Sequence, residues 1–232
     1  EPGYVETVVE CPAFTGDTSD NVSYIDYAIS LDGMDWQDIM YWNILTSFIS
    51  QESGVLNACL RESGIYNQAE AGLNIYCSKP YLLFRLYQAE EEQSQAFKEA
   101  AVRALSRIAK EGIDEEIVST VLKQIEVANY QIRDTRNAGV NIFPNIVNYW
   151  VHTGEIDYYG LYEKACSDIS EDKEQTIIKG LAASALEPER SALVTTVPVP
   201  GLAEEIIAER DQYLADMKAS MTEEEIEELI AD

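Results

Sequence analysis

The 232 residues are 46% apolar, enough for one large core or two small ones, and the chain is expected to fold as a globule. Forty-two acidic against 16 basic residues give a net charge of −26, which repels phosphate backbones and anionic lipid and attracts cations and basic peptides, so nucleic acid is excluded as a partner class. No apolar run approaches the roughly 18–20 residues of a membrane span, which excludes an integral membrane role for the chain as given, and the opening "EPGYVETVVE" has neither a basic n-region nor an apolar h-region.

In chain order, "NVSYIDYAISL" (21–31) alternates, with Ile25, Tyr27 and Ile29 on one side, and predicts a strand with one buried face. After the Asp32-Gly33 turn, Trp36, Ile39, Met40, Leu45, Phe48 and Ile49 recur at helical spacing. A second, shorter helix over 54–64 ends at Gly64. Segments 66–77 and 81–89 flank Ser78-Lys79-Pro80 and read as a hairpin or as successive strands. A helix from about Glu92 to Lys110 carries Phe97, Ala101, Leu105 and Ile108 on one face, with Gly112 just past its end.

"DEEIVSTVLKQIEVANYQIRD" (114–134) predicts a helix capped by Asp114, with a stripe through Ile117, Val121, Leu122, Ile125, Ala128 and Ile132. Another helix is expected over 140–154, with Pro144 in its first turn, followed by one acidic helical stretch over 170–186 and a strand over 191–199. From Leu202 onward come 11 acidic and two basic residues with a one-sided apolar stripe through Leu202, Ile206, Tyr213, Leu214 and Met217. Thr222 and Glu225 then form a capping box opening a further short helix whose edge would be Ile226, Leu229 and Ile230. The strands are not each followed by one helix, as a βαβ repeat would require. The expected fold is therefore α+β, with helices covering one face of a mostly antiparallel sheet and an acidic helical hairpin after it. Whether "GYVETVVECPA" joins the sheet or trails is open at this level.

His152 is the only histidine, so every two-histidine zinc motif is excluded within the chain by counting. A nucleophilic pair or mixed metal site of His152 with Cys166 is weighed against a helix-surface histidine beside Trp150, and the second reading is preferred. Cys11, Cys59, Cys77 and Cys166 show no C-x-x-C spacing and are read as reduced, buried thiols, which implies a cytoplasmic or other reducing intracellular compartment. There is no G-x-S-x-G, Walker A, G-x-G-x-x-G or D-x-D-x-D-G pattern, and carboxylates are too abundant for any pair to stand out. No catalytic, cofactor-binding or metal residue is assigned. Trp36, Trp42, Trp150 and most tyrosines fall in periodic segments and are expected in the core.

"SALVTTVPVPGLAEEIIAERDQYLADMKASMTEEEIEELIAD" resembles the end of the second, non-catalytic domain of insulinase-type zinc peptidases of the presequence protease branch. There a final strand with a "TVxPxPGLAEE"-like turn enters a charged helical hairpin joining two halves of the enzyme. "IDEEIVSTVLKQIEVANYQIRD" resembles the long helix of the same domain. The resemblance implies an α+β domain over 1–200 and, over 201–232, the start of a linker. It also implies no cofactor in this chain, and zinc held elsewhere in the parent by an H-x-x-E-H motif absent here. The implied partners are the remaining domains of that peptidase and unfolded peptide substrates, basic ones in view of the acidity. A free-standing structural or interaction subunit on the same fold is the alternative.

Overall fold

The computed structural model describes residues 3–13, 23–35, 38–75, 77, 79–188, 190–222, 224–226 and 229. Trp36, Ile230 and the first two residues of the expected strand at 21–31 lie outside the described residues. The strands are β1 (Tyr4–Pro12), β2 (Ser23–Ser30), β3 (Ala69–Asn74), β4 (Tyr81–Ala89) and β5 (Ser191–Val199). They form one sheet in the order β1-β5-β2-β4-β3, in which only the β1–β5 pair is parallel.

The helices are α1 (Ile39–Ile49), α2 (Val55–Glu62), α3 (Ser94–Glu111), α4 (Glu115–Arg133), α5 (Ala138–Thr153), α6 (Tyr158–Glu171), α7 (Thr176–Ser184) and α8 (Leu202–Ser220). The alternation of β2 is borne out: Ile25, Tyr27 and Ile29 are buried against the helices together with Leu82, Phe84 and Leu86 of β4 and Leu193 of β5. Trp42, Phe48 and Phe97, from α1 and α3, close this core from the helix side, each 2% exposed or less. An α+β fold with helices on one face of a mostly antiparallel sheet is what the chain adopts.

The question left open at the N-terminus is answered: β1 pairs with β5 over its whole length as an edge strand, with Tyr4 opposite Ser191 and Pro12 opposite Val199. Three expectations need correction. The helix expected over 140–154 begins at Ala138, because Asn137 already accepts from the amides of Val140 and Asn141, and Pro144 therefore falls in the second turn. The single acidic helix over 170–186 is two helices. Asp172 ends α6 and its carboxylate accepts from the Ile177 amide at 2.8 Å, starting α7, while Gln175 takes a left-handed φ of 54°. Residues 158–169 are also helical, although no helix is predicted there.

That left-handed Gln175 has a function in the packing. Its side-chain amide accepts from the Ile113 nitrogen and donates to the Ile113 carbonyl, both at 2.7 Å, so one side chain satisfies the loop after α3 as a neighbouring strand would. The loop starts at Gly112, whose φ of 81° is open to glycine and strained for other residues. Asp114 caps α4 through the Glu116 amide at 2.8 Å, as its position predicts. The box at Thr222 and Glu225 also forms, with bonds of 2.8 and 3.3 Å in the two directions.

Candidate functional site

Helices cover one side of the sheet, so the alternate strand positions point away from the core and, among the described residues, form a bare face. The pairing registers set its rows. One crosses Thr7, Val194, Asp26, Arg85 and Glu70; the next crosses Val5, Ala192, Ala28, Leu83 and Gly72. Tyr24 and Tyr87 stand beside the first row, and Ser30, Tyr81 and Asn74 beside the second.

The centre of this face is fixed by charge. The Arg85 guanidinium donates to both oxygens of Asp26, at 2.7 and 2.6 Å, a fork-to-fork pair with the directly opposite residue of the neighbouring strand. The Asp26 hydrogen bonds and charge push the Arg85 pKa up, so it stays charged. Arg85 also lies 5.9 Å from the Tyr24 ring centre, and Tyr24 meets Tyr87 edge to face at 5.8 Å. The Tyr87 hydroxyl donates to the Glu70 carboxylate. At the end of the face, a depression of 400 Å³ is lined by residues including Val5, Ala28, Tyr81 and Ala192.

On the helix side, a cleft of 860 Å³ between α1, α5 and α6 contains Asp35, Asp38, Tyr41, Tyr149, His152 and Glu155. Burial and the neighbouring Asp35 raise the Asp38 pKa. Tyr41 donates to Asp168 at 2.7 Å, tying α1 to α6, and burial followed by that bond pushes its pKa up to about 12. Lys164 and Tyr41, both bonded to Asp168, hold its carboxyl below the usual range.

The two residues weighed as a pair are placed in different surroundings. His152 is half-buried in this cleft, not on the helix surface, with Nε2 2.9 Å from the Ile75 carbonyl. Cys166 lines a separate groove of 550 Å³ between α4 and α6, where burial raises its thiol to about 11, far from the thiolate a nucleophile requires. All four cysteines are free. Cys59 is buried, and the other three are half-buried, less than the sequence reading expects.

Among the described residues no group of three metal-ligating side chains converges. The residues present do not fit a zinc ion: the sole histidine faces a carbonyl, and no cysteine is placed beside it in the same cavity. The bare face was missed by sequence reasoning, although the signal was present. Tyr24, Asp26 and Ala28 are the outward half of a strand whose inward half was recognised.

The peptidase M16 inactive-domain family model matches residues 6–125, just over half of the chain. No curated relative matches the sequence. Among solved structures, a protease from Helicobacter pylori superposes with a TM-score of 0.61 at 13% identity, covering 84% of this chain and 45% of its own. An inactive peptidase domain from Bordetella parapertussis, from a candidate zinc protease, gives 0.60 at 11% identity, covering 77% and 92%. The ferredoxin protease FusC, in complex with Arabidopsis ferredoxin, gives 0.54 at 15% identity, covering 84% of this chain and 20% of its own. The chain thus spans about half the length of the Helicobacter pylori protease. At such identities these likenesses carry the fold alone, but the family model runs from within β1 into α4 and takes in the whole of β2, β3 and β4, and by that match the chain belongs to the peptidase M16 inactive-domain family.

Proposed function

We propose that this chain is a catalytically silent domain of a zinc-dependent peptidase that degrades unfolded peptides, forming part of the enclosure around the peptide and supporting the catalytic domain. The observation that carries the reading is the match to an inactive peptidase domain in a chain with a single histidine. A thermolysin-like or inverted zinc motif needs two histidines, so hydrolysis must be supplied by another polypeptide segment. Zinc belongs to that other segment, and no step of the reaction runs through residues of this one.

The finer points of the proposal rest on the tail and on charge. The "TVPVPGLAEE" turn from β5 into α8 favours the presequence protease branch, with residues 201–232 beginning the connection to the rest of the enzyme. Every described side chain of α8 is at least partly exposed, and Ile206, Ile207, Tyr213, Leu214 and Met217 are 41 to 66% exposed, which suits a helix completed by another segment. The net charge of −26 favours basic peptides by long-range steering. Four unpaired cysteines favour a reducing compartment.

Metal analysis and a peptidase assay test this directly, on the chain alone and after mixing with a polypeptide that carries an H-x-x-E-H domain. Silence alone and turnover on mixing are expected. Turnover or stoichiometric zinc in the isolated chain would overturn the proposal. A monodisperse chain that never associates with the catalytic polypeptide would favour a free-standing structural subunit.

A further inference from the structure

We infer that the bare sheet face binds an extended, uncharged segment of polypeptide through apolar and aromatic side chains. The acidity of the chain then acts on approach, not on contact. This inference rests on the proposed role in peptide enclosure and adds to it the class of side chain that this surface selects.

The argument starts from where the charge is. Among the described outward positions of the five strands, only Asp26, Arg85 and Glu70 carry a charge at neutral pH. Asp26 and Arg85 cancel each other in their bidentate pair, the Glu70 carboxylate accepts from Tyr87 and keeps its charge on edge strand β3, and at the opposite end Lys79, paired with Asp32, and Arg190 line the depression. In a chain with 42 acids, this face is close to neutral, and the carboxylates are concentrated on the helices behind it and on α8. A packed layer is about 10 Å thick. Carboxylates on the far side of that layer are at least a layer's thickness away and hydrated, so their pull on a peptide lying on the sheet is weak beside that of a contact ion pair. A cationic side chain docked over Leu83 and Val194 would give up its hydration beside an Asp26 that Arg85 already matches, with only the edge-strand Glu70 left to attract it. An apolar one would lose nothing.

What the face does offer is contact area. Leu83, Val194 and Val5 stand between the tyrosines Tyr24 and Tyr87 on one side and Tyr81 on the other. Tyrosines of this kind give large contact area at low entropic cost. Gly72 fits the same use. A Cβ there would meet nothing within 4 Å, and its φ is not in the left-handed region, so neither packing nor backbone geometry within the chain requires glycine. Glycine weakens a strand interior and is found where something approaches from outside.

The test uses the 232-residue chain, 15N-labelled, titrated with two unstructured peptides of equal length. One is uncharged and built on Leu, Val and Ser; the other has Lys at half its positions. The uncharged peptide is expected to shift the amides of Ala28, Leu83, Gly72 and Val194, with an affinity that changes less than about twofold up to salt on the order of 0.5 M. Leu83→Glu and Gly72→Glu should each weaken it by about tenfold or more, because each places a carboxylate under the docked apolar segment. At Gly72 an added Cβ meets nothing within 4 Å, and the amide spectrum of each variant without peptide checks that the fold is kept.

Binding of the Lys peptide alone, with shifts on the helices and a steep salt dependence, would overturn the inference, as would an uncharged peptide that leaves the sheet amides unmoved. Mixing with the catalytic polypeptide separates the two proposals. Restored turnover of an apolar substrate with KM unchanged in Leu83→Glu and Gly72→Glu sinks this inference alone. Sheet-face binding by the isolated chain without turnover on mixing sinks the peptidase reading alone.

Discussion

Trp42 and Trp150 sit in helices of similar apolar periodicity, yet the first is 2% exposed and the second 51%. Around Trp42, α1 lies on the sheet and its Ile44, Leu45, Phe48 and Ile49 are fully buried. Around Trp150, α5 turns Val140, Phe143 and Val151 outward, each at least 66% exposed, while Tyr149 points inward and is buried. Helical spacing identifies an apolar stripe but not what covers it, and α5 has apolar residues on both its inward and outward sides. The sequence expectation that all three tryptophans are core residues fails at Trp150 for this reason. Trp36 lies outside the described residues.

The comparison can be broken most directly by truncating one ring on each side. Phe48→Ala should lower unfolding free energy by about 3–5 kcal/mol, and Phe143→Ala should stay within about 0.5 kcal/mol, both read from urea melts with the m-value checked for constancy. Equal losses would mean that α5 is covered in solution, for instance by self-association. The second largest effect concerns the bare face. Asp26→Ala leaves Arg85 without its bidentate partner in a half-exposed position, and a loss of about 1–2 kcal/mol is expected, whereas Asp211→Ala, in an exposed pair on α8, should cost close to nothing.

Gly112→Ala sharpens the comparison within the packed half. An alanine Cβ would come within 2.3 Å of the Gln175 side-chain oxygen and take a φ of 81°, so about 1–2 kcal/mol should be lost, with amide exchange accelerated at Ile113. Gly139→Ala on α5, with nothing within 4 Å of the added carbon, should be neutral or slightly stabilising.

The smallest effect is in the alkaline limb of stability. The Tyr41 pKa is raised in the fold from 10.0 to about 12, so the folded state holds its proton more tightly than the unfolded one. That contribution is fully present below about pH 10 and is lost between about pH 10 and 12. Tyr41→Phe should flatten this part of the profile while also removing the link to Asp168, and an unchanged slope would show that the α1–α6 contact is not maintained in solution.

Much of the fold was legible because its signals are local. The strand over 191–199 is found as predicted, α4 starts at its expected cap, and the Thr222–Glu225 box forms. Each depends on residues within a few positions of one another. What was left open or missed shares the opposite property. The parallel pairing of β1, open from the sequence, depends on β5, some 187 positions away from Tyr4 at Ser191, and the missed break between α6 and α7 depends on Asp172 and on a Gln175 whose partner is Ile113. The candidate site shows the same division. Asp26 and Arg85 are 59 positions apart, and only the antiparallel register of β2 and β4 puts them face to face.

By itself the sequence determined the alternation that makes β2 a one-sided strand, the position of β5, the helical stripes, the net charge and the lack of a second histidine, because each is a matter of counting or of short-range pattern. Which stripes are buried was decided only in three dimensions, as were the separation of His152 from Cys166 and the pairing of Asp26 with Arg85 across the sheet face. Burial and charge distribution depend on which distant segments the strand pairing brings together, and the spacing of residues along the chain does not encode that.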